Sequence, residues 1–213
     1  MMGATYNPAV FDVNNLAEAM AIILTPEGST TADRWEIETP YLAGLIHDHI
    51  PLGPDSLILD YGCGIGRLAH ELIRRHGCYV IGVDISPSMR ALSVMYTRSD
   101  RFMSCSQEML DHLIERGLRF DAALAIWVLQ HSAAPAHDMA RISRALRPDG
   151  GFFVANGVMR SVPTTDRGWF NDGLDIRSML ASEFQPAHEG RLARERTSET
   201  LASHTFWGVY RRR

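Results

Sequence analysis

The sequence predicts an α/β protein built on a doubly wound, seven-stranded, mostly parallel sheet with an antiparallel last strand. Three observations carry this expectation. From Ser56 onward, short apolar runs alternate with segments of helical spacing about 10 to 15 residues long. The apolar runs, such as "SLILD" (56–60) and "FDAALAIWV" (120–128), are continuous rather than alternating, as in strands covered on both faces. Near the end, "SEFQPAHEGRLA" (182–193) and "SHTFWGVYRR" (203–212) read as two strands with no long helix between them, which suits an antiparallel pair at a sheet edge.

Each element has its local reason. Residues 1–55 precede the first strand and are expected to form a helical lid over one end of the sheet, within a single domain spanning 1–213. "NNLAEAMAIIL" (14–24) carries an apolar helical stripe, and "TPYLAGLIHDHI" (39–50) opens with Thr39 as cap and Pro40 behind it. After the first strand, "RLAHELIRRHG" places Leu68, Leu72 and Ile73 on one helical face and ends at Gly77. "CYVIGVD" (78–84) is a second buried strand, and Ser86 and Pro87 open the helix of "SPSMRALSVMYT" (86–97). A weak strand (101–105) and a helix (107–117) follow. Then come the strand at 120–128, a helix over 135–150 with a Pro-Asp-Gly exit, and a fifth strand at 151–158. Residues 159–171 read as a loop.

Composition narrows the chemistry. All 21 basic residues are arginine, so neither a Schiff-base lysine nor a phosphate-loop lysine exists. The three cysteines, Cys63, Cys78 and Cys105, are widely spaced, which argues against a disulfide framework or zinc site and fits a reducing cytoplasm. A net charge of −4 gives no pull toward nucleic acid or an anionic membrane. The basic tail, "RLARER" and "RRR" (211–213), reads as a solvated surface. The first fifteen residues lack the pattern of a signal peptide, and no apolar stretch reaches the roughly 18 residues a membrane span needs.

The chemistry concentrates in "LILDYGCGIGRLAHEL" (57–72). An open parallel sheet binds ligands beyond the carboxyl ends of its strands, and Asp60 to Gly66 lies there. Glycines permit a tight turn and close approach of backbone to ligand. A dinucleotide loop would read GxGxxG, but Arg67 stands where the third glycine belongs. The leading acid, Asp60, would repel a pyrophosphate. It suits a cofactor carrying a sulfonium and an ammonium, which is S-adenosylmethionine. Asp84 lies 18 residues after Gly66 at the end of the next strand, where an acid accepts hydrogen bonds from both ribose hydroxyls.

Here the sequence resembles the class I S-adenosylmethionine-dependent methyltransferases of the small-molecule branch, over roughly residues 35 to 158. "LDYGCGIGRLA", "VIGVDISPSM", "FDAALAIWVLQH" and "ALRPDGGFFVAN" stand in the family's order. The resemblance implies the Rossmann-like methyltransferase fold. It implies that Gly62, Cys63, Gly64 and Gly66 wrap the methionine portion, with Cys63 as a small filler, and that Asp60 orients the ammonium. Asp84 would hold the ribose, and Ile85 would pack on the adenine. The family usually has an acid that reads the adenine amino group; this chain has "CSQEML", so Ser106 or Gln107 falls there. Ile126 and Trp127 would line the cofactor and face the substrate. Trp35 and Thr39 are candidates for a lid residue or for plain helix packing.

The acceptor is harder to read. The resemblance argues against three subclasses. "WVLQHSA" lacks the Asn/Asp-Pro-Pro-aromatic turn of amino-methylating DNA enzymes. No cysteine sits where carbon-5 pyrimidine methylation needs one, and no acid ends the fourth strand as in the magnesium-dependent catechol type. His131 is the titratable residue at that mouth, either a general base or a structural histidine. His47 and His49, two apart on a helix, do not share a face and make a poor metal pair. Tyr6, Trp35, Trp169 and Phe170 lie in segments able to close over the pocket. The sequence thus reads as a methyltransferase acting on an O or N atom of a small molecule. An alternative is a non-catalytic cofactor-binding protein or a subunit that needs a partner. A nicotinamide oxidoreductase is opposed by Asp60 and Arg67.

Overall fold

A computed structural model describes residues 5–21 and 30–213. Of the helix expected over 14–24, α1 (Leu16–Ala21) is described, and residues 22–24 lie outside the described residues. The N-terminal portion continues through α2 (Thr31–Asp33), a π-helical turn (Arg34–Glu38) and α3 (Thr39–His49). The alternating part follows: β1 (Leu57–Tyr61), α4 (Arg67–His76), β2 (Tyr79–Val83), α5 (Pro87–Thr97), β3 (Phe102–Cys105), α6 (Gln107–Glu115), β4 (Phe120–Ile126), α7 (Pro135–Ala145) and β5 (Leu146–Gly157). The chain closes through β6 (Val162–Thr164), β7 (Gly168–Phe170), α8 (Ile176–Glu183), β8 (Phe184–Arg191), α9 (Glu199–His204) and β9 (Thr205–Arg212).

The main sheet has seven strands in the order β3-β2-β1-β4-β5-β9-β8. Neighbours from β3 to β5 run parallel, and β9 runs antiparallel to both β5 and β8. The chain moves outward from β1 to β3 and then crosses back to β4, so the order reverses between β1 and β4. That reversal opens the crevice in which such sheets bind ligands. Period-two alternation sends Ile58 into the layer of α3 and α4, with Leu42, Ile46, Leu68 and Leu72. It sends Leu59 into the opposite layer, with Leu110, Met139, Ile142 and Leu180. Among the described residues no helix is long and apolar enough to cross a membrane.

The structure differs from the sequence expectations in three places. Thr39 does not cap a helix: Thr30 does, in a capping box with Asp33, and the helix runs on through the π turn. A proline inside an α-helix clashes with the carbonyl four residues back; the wider turn, in which the Thr39 N–H reaches back to the Arg34 carbonyl, admits Pro40. The helix expected over 135–150 stops at Ala145, because Pro148 disfavours helical backbone at Arg147. Leu146 then pairs with Phe120 as the start of β5. Finally, the expected loop at 159–171 holds the hairpin β6–β7, and α8 follows it. The hairpin's outer partner comes from the other end of the chain: the Asn7 N–H donates to the Pro163 carbonyl (2.9 Å), and the Thr165 N–H to that of Thr5 (3.0 Å). Such a pairing has no local signal.

Candidate active site

The turn after β1 is held by backbone. The amides of Gly62 and Cys63 both donate to the Val83 carbonyl, at 2.6 and 3.0 Å, which ties the turn to β2. Gly62 has φ of +77°, and a Cβ built there would lie 2.2 Å from a Val128 methyl. Gly64 has φ of +52°, yet a Cβ there would meet no atom within 4 Å. The first glycine is required by crowding. The second presents bare backbone to open space, a cradle that a side chain would fill. The cavity in front of it has a volume of about 600 Å³ and is lined by Asp60, Gly62, Cys63, Gly64, Asp84 and Ile85 among others.

Two acids shape this end. Asp60 is 3% exposed, and its Oδ2 is buried without a hydrogen-bond partner. Burial, reinforced by Asp84, pushes its carboxyl up to about 7, with Arg67 opposing. An orphaned buried carboxylate oxygen on the wall of a cavity calls for a cationic donor from a ligand. Asp84 accepts from the Gly64 N–H (Oδ2, 2.8 Å) and the Ser86 N–H (Oδ1, 2.9 Å). It therefore braces the glycine turn and the start of α5 at once, and a carboxylate with about four lone-pair sites can still accept from ligand hydroxyls. Ile85, 40% exposed at the cavity edge, offers an apolar face for a planar ring.

At the end of β3 the two candidates part. Ser106 accepts from the Met109 N–H (3.3 Å) as the N-cap of α6 and does not line the cavity. Gln107 does line it, and its Nε2 donates to the Tyr61 hydroxyl at 2.7 Å. Cys63 is buried with its Sγ pressed on the Gly82 backbone, where a Cβ would come within 2.7 Å. Burial pushes its thiol well above the ordinary value, as for a packing group rather than a nucleophile.

Ile126 and Trp127, at the end of β4, also line the cavity. Trp127 has φ of +55°, a left-handed backbone that a bulky residue adopts only where its surroundings impose it. Those surroundings are explicit: the Arg34 guanidinium lies 5.2 Å from the Trp127 ring, and Trp127 Nε1 donates to Thr205 Oγ1 at 3.3 Å. Arg34 belongs to a buried network that sequence reading missed. Arg67, 5% exposed, donates to the Arg34 carbonyl (2.9 Å) and Thr39 Oγ1 (2.7 Å) and pairs with Glu38 (3.3 Å). Glu38 also pairs with Arg34 at 3.3 Å and accepts from Thr197 Oγ1 at 3.0 Å. The residue that breaks the dinucleotide pattern is thus the bolt that fastens the N-terminal helices to the glycine turn. Trp35 packs against Tyr96, to whose hydroxyl it donates (2.6 Å), and does not line the cavity.

The cavity lining also includes Tyr6, Phe11, Gln130, His131 and Met159. The His131 ring lies 6.0 Å from Phe11 and 5.3 Å from Trp169, so three distant segments meet there. His131 Nδ1 is 2.6 Å from the Ser161 carbonyl. A carbonyl only accepts, so that nitrogen carries a proton and Nε2 is the acceptor, 3.2 Å from Gln130 Nε2. Gln130 Oε1 meanwhile takes the Gly157 N–H. His47 and His49 diverge: His47 stacks on His76, and His49 meets His188 with the rings tilted by 35°. Among the described residues no group of three or more His, Cys, Asp or Glu could hold a metal ion.

Comparisons with known proteins agree with this geometry. A family model described as a methyltransferase domain matches residues 59–154. A ubiquinone biosynthesis O-methyltransferase of Methylobacterium sp. (strain 4-46) is 33% identical over 122 residues, covering 54% of this chain and 49% of that protein; the chain thus spans about half the length of this relative. The structure of geranyl diphosphate C-methyltransferase from Streptomyces coelicolor A3(2), bound to Mg2+, geranyl diphosphate and S-adenosyl-L-homocysteine, aligns with a TM-score of 0.62 at 18% identity over 82% of this chain and 79% of that one. The 1,6-didemethyltoxoflavin-N1-methyltransferase of Burkholderia thailandensis, bound to 1,6-didemethyltoxoflavin and S-adenosylhomocysteine, aligns with a TM-score of 0.60 at 21% identity over 100% of this chain and 93% of that one.

Proposed function

We propose that the chain is a class I S-adenosylmethionine-dependent methyltransferase that transfers a methyl group to an oxygen or nitrogen atom of a small-molecule acceptor. The observation that carries the reading is the buried, unpartnered Oδ2 of Asp60 on the cavity wall beside the open backbone of Gly64. These fit the ammonium and the methionine portion of the cofactor, with Asp84 at the ribose, Ile85 and Gln107 at the adenine, and Ile126 and Trp127 along the wall. Arg34 and Arg67, both paired with Glu38, bring guanidinium groups to the cavity lining beside the glycine turn. S-adenosylmethionine, when bound, supplies an electrophilic methyl carbon on a sulfonium.

The protein's main contribution is then alignment, which in well-oriented reactions is worth up to about 7–11 kcal/mol of a barrier. Phe11, His131 and Trp169 would close over the acceptor, and a tilted ring cluster of that kind favours a flat, apolar one. His131 is the proposed base. Its Nδ1 proton is committed to Ser161, so Nε2 is the lone pair able to take a proton from an acceptor hydroxyl that displaces the Gln130 amide. Oxygen is favoured over nitrogen because the sequence relative above is named as an O-methyltransferase.

Two measurements test this. Calorimetry with S-adenosylmethionine should give binding to the wild type and a loss of roughly 10- to 100-fold in Asp84→Ala, two ligand hydrogen bonds being removed. Transfer of labelled methyl to a panel of phenols, catechols and amines should fall about 10²- to 10⁴-fold in His131→Gln with cofactor affinity unchanged. Equal cofactor binding by both Asp84 forms would remove the ribose role. Tight cofactor binding with no transfer to any acceptor would leave a cofactor-binding protein without catalysis of its own.

A further inference from the structure

Tyr61 is fully buried at the end of β1, and its hydroxyl makes three hydrogen bonds. It lies 2.5 Å from Asp138 Oδ1, 2.7 Å from Gln107 Nε2 and 2.9 Å from an Arg141 guanidinium nitrogen. A phenol has one proton to give and two lone pairs to fill. Arg141 can only donate. Asp138 also accepts from Arg141 (3.1 Å, Oδ1) and from the Ser132 hydroxyl (Oδ2), so it acts as a carboxylate and only accepts. The one phenolic proton therefore goes to Asp138. The remaining lone pair can be met only by a donor, which forces Gln107 to present its NH₂ to Tyr61 and never its carbonyl. Arg141 is anchored in turn by a two-pronged pair with Asp111, at 2.9 Å for each prong, so the arrangement is held from α6 as well as α7.

The consequence falls on the other end of the carboxamide. With one N–H held by Tyr61 and the carboxamide so oriented, Gln107 Oε1 has no protein partner among the described residues and belongs to a side chain on the cavity wall. We propose that Tyr61 is a positioning residue that locks the Gln107 carboxamide with its oxygen toward the cofactor's base, so that the site accepts the exocyclic amine of adenine and rejects a 6-oxo purine. The inference rests on the reading of Gln107 as the adenine contact. It adds that discrimination at this neutral side chain is set by a phenol behind it rather than by a carboxylate charge. A freely rotating carboxamide would accept from an amine in one orientation and donate to a carbonyl in the other, and so would read neither.

The same bonds join both ends of the pocket. Ser132, in the cavity lining beyond β4, donates to Asp138, which accepts from Tyr61, which accepts from Gln107. A change at any link alters the donor and acceptor count at the next.

The test is a ratio of affinities, measured by calorimetry with S-adenosylhomocysteine and its deaminated form, S-inosylhomocysteine. The wild type should favour the adenine form by roughly 10- to 100-fold, since the 6-oxo group would face the Gln107 oxygen and leave two buried acceptors opposed. In Tyr61→Phe the carboxamide is released, and the ratio should fall to within about 3-fold, chiefly through better binding of the inosine form. Gln107→Leu should also lose the ratio, but through weaker binding of the adenine form. A Tyr61→Phe protein that is folded and keeps the wild-type ratio would overturn the positioning role while leaving the Gln107 contact intact. A wild-type ratio near one would overturn the adenine contact itself and the inference with it. Should Tyr61→Phe not fold, nuclear Overhauser contacts between the Gln107 side-chain NH₂ and the Tyr61 ring in the labelled wild type decide the same point. Their presence supports the lock, and their absence refutes it.

Discussion

Asp60 concentrates the electrostatics of the site in one side chain. Burial and the neighbouring Asp84 both disfavour its ionised form, and together they raise its pKa to about 7. A cofactor ammonium is attracted only to the carboxylate. Affinity for S-adenosylmethionine should therefore rise with pH through about 7 and fall, by up to roughly tenfold per pH unit, below it. Calorimetry between pH 5.5 and 8.5 checks this, and Asp60→Asn should bind weakly with a flat profile. If the wild-type profile is flat as well, Asp60 does not face the ammonium. Trp127 is the other singular residue. Its left-handed backbone is stabilised by the Arg34 guanidinium on its ring and by the Thr205 hydroxyl at its indole nitrogen.

Among the elements, the π-helical turn Arg34–Glu38 and α4 act as one piece, because Arg67 reaches from the first turn of α4 to the carbonyl of Arg34 and the side chains of Glu38 and Thr39. Isolated surface ion pairs contribute little to stability. This pair is buried, and removing one partner leaves the other charge without its full compensation. Arg67→Met should lower stability by about 3 kcal/mol. Amide exchange should increase over residues 30–49 while β2 and β4 stay protected, since their bonds lie within the parallel sheet. A uniform loss of protection would mean that the N-terminal helices are not fastened at this point. The hairpin β6–β7 forms a second closing piece, held to the chain's beginning by backbone bonds at Thr5 and Asn7.

Across the whole molecule, chemistry gathers at the carboxyl ends of the strands, and the other end carries paired histidines. His47 on α3 stacks on His76 at the end of α4 with ring centroids 4.6 Å apart, and His49 meets His188 of β8 at the same spacing with tilted rings. His76 Nε2 is buried without a partner. Burial, then His47 and Arg75, hold its pKa below the ordinary value, against the pull of Glu71. The unfolded chain binds this proton at a higher pH than the folded one. The stability involved is thus present above about 6.5 and is lost as pH falls below it. Thermal melts from pH 7.5 to 5 should show a decline that is shallower in His76→Leu than in the wild type. Parallel declines in the two proteins would place the effect elsewhere.

The alternation of apolar runs and helical segments determined the doubly wound sheet, and Asp60, the three glycines and Asp84 determined the cofactor class. Both are local: a strand buried on two faces must be apolar throughout, and a turn that takes positive φ at positions 62, 64 and 66 favours glycine at each. The start of α8 has a local signal as well, in the Asp175 cap and the Ile176–Leu180 spacing. What only the tertiary structure decided involves partners far apart in sequence. Arg67 gained its role from Glu38 and Thr39, 29 and 28 residues away, and Tyr61 from Asp138 and Arg141, 77 and 80 residues away. Ser106 and Gln107 stood as equals in the sequence. A hydrogen bond from one of them to a phenol on another strand separates a helix cap from a residue of the cavity wall, because donors and acceptors are matched in space and not along the chain.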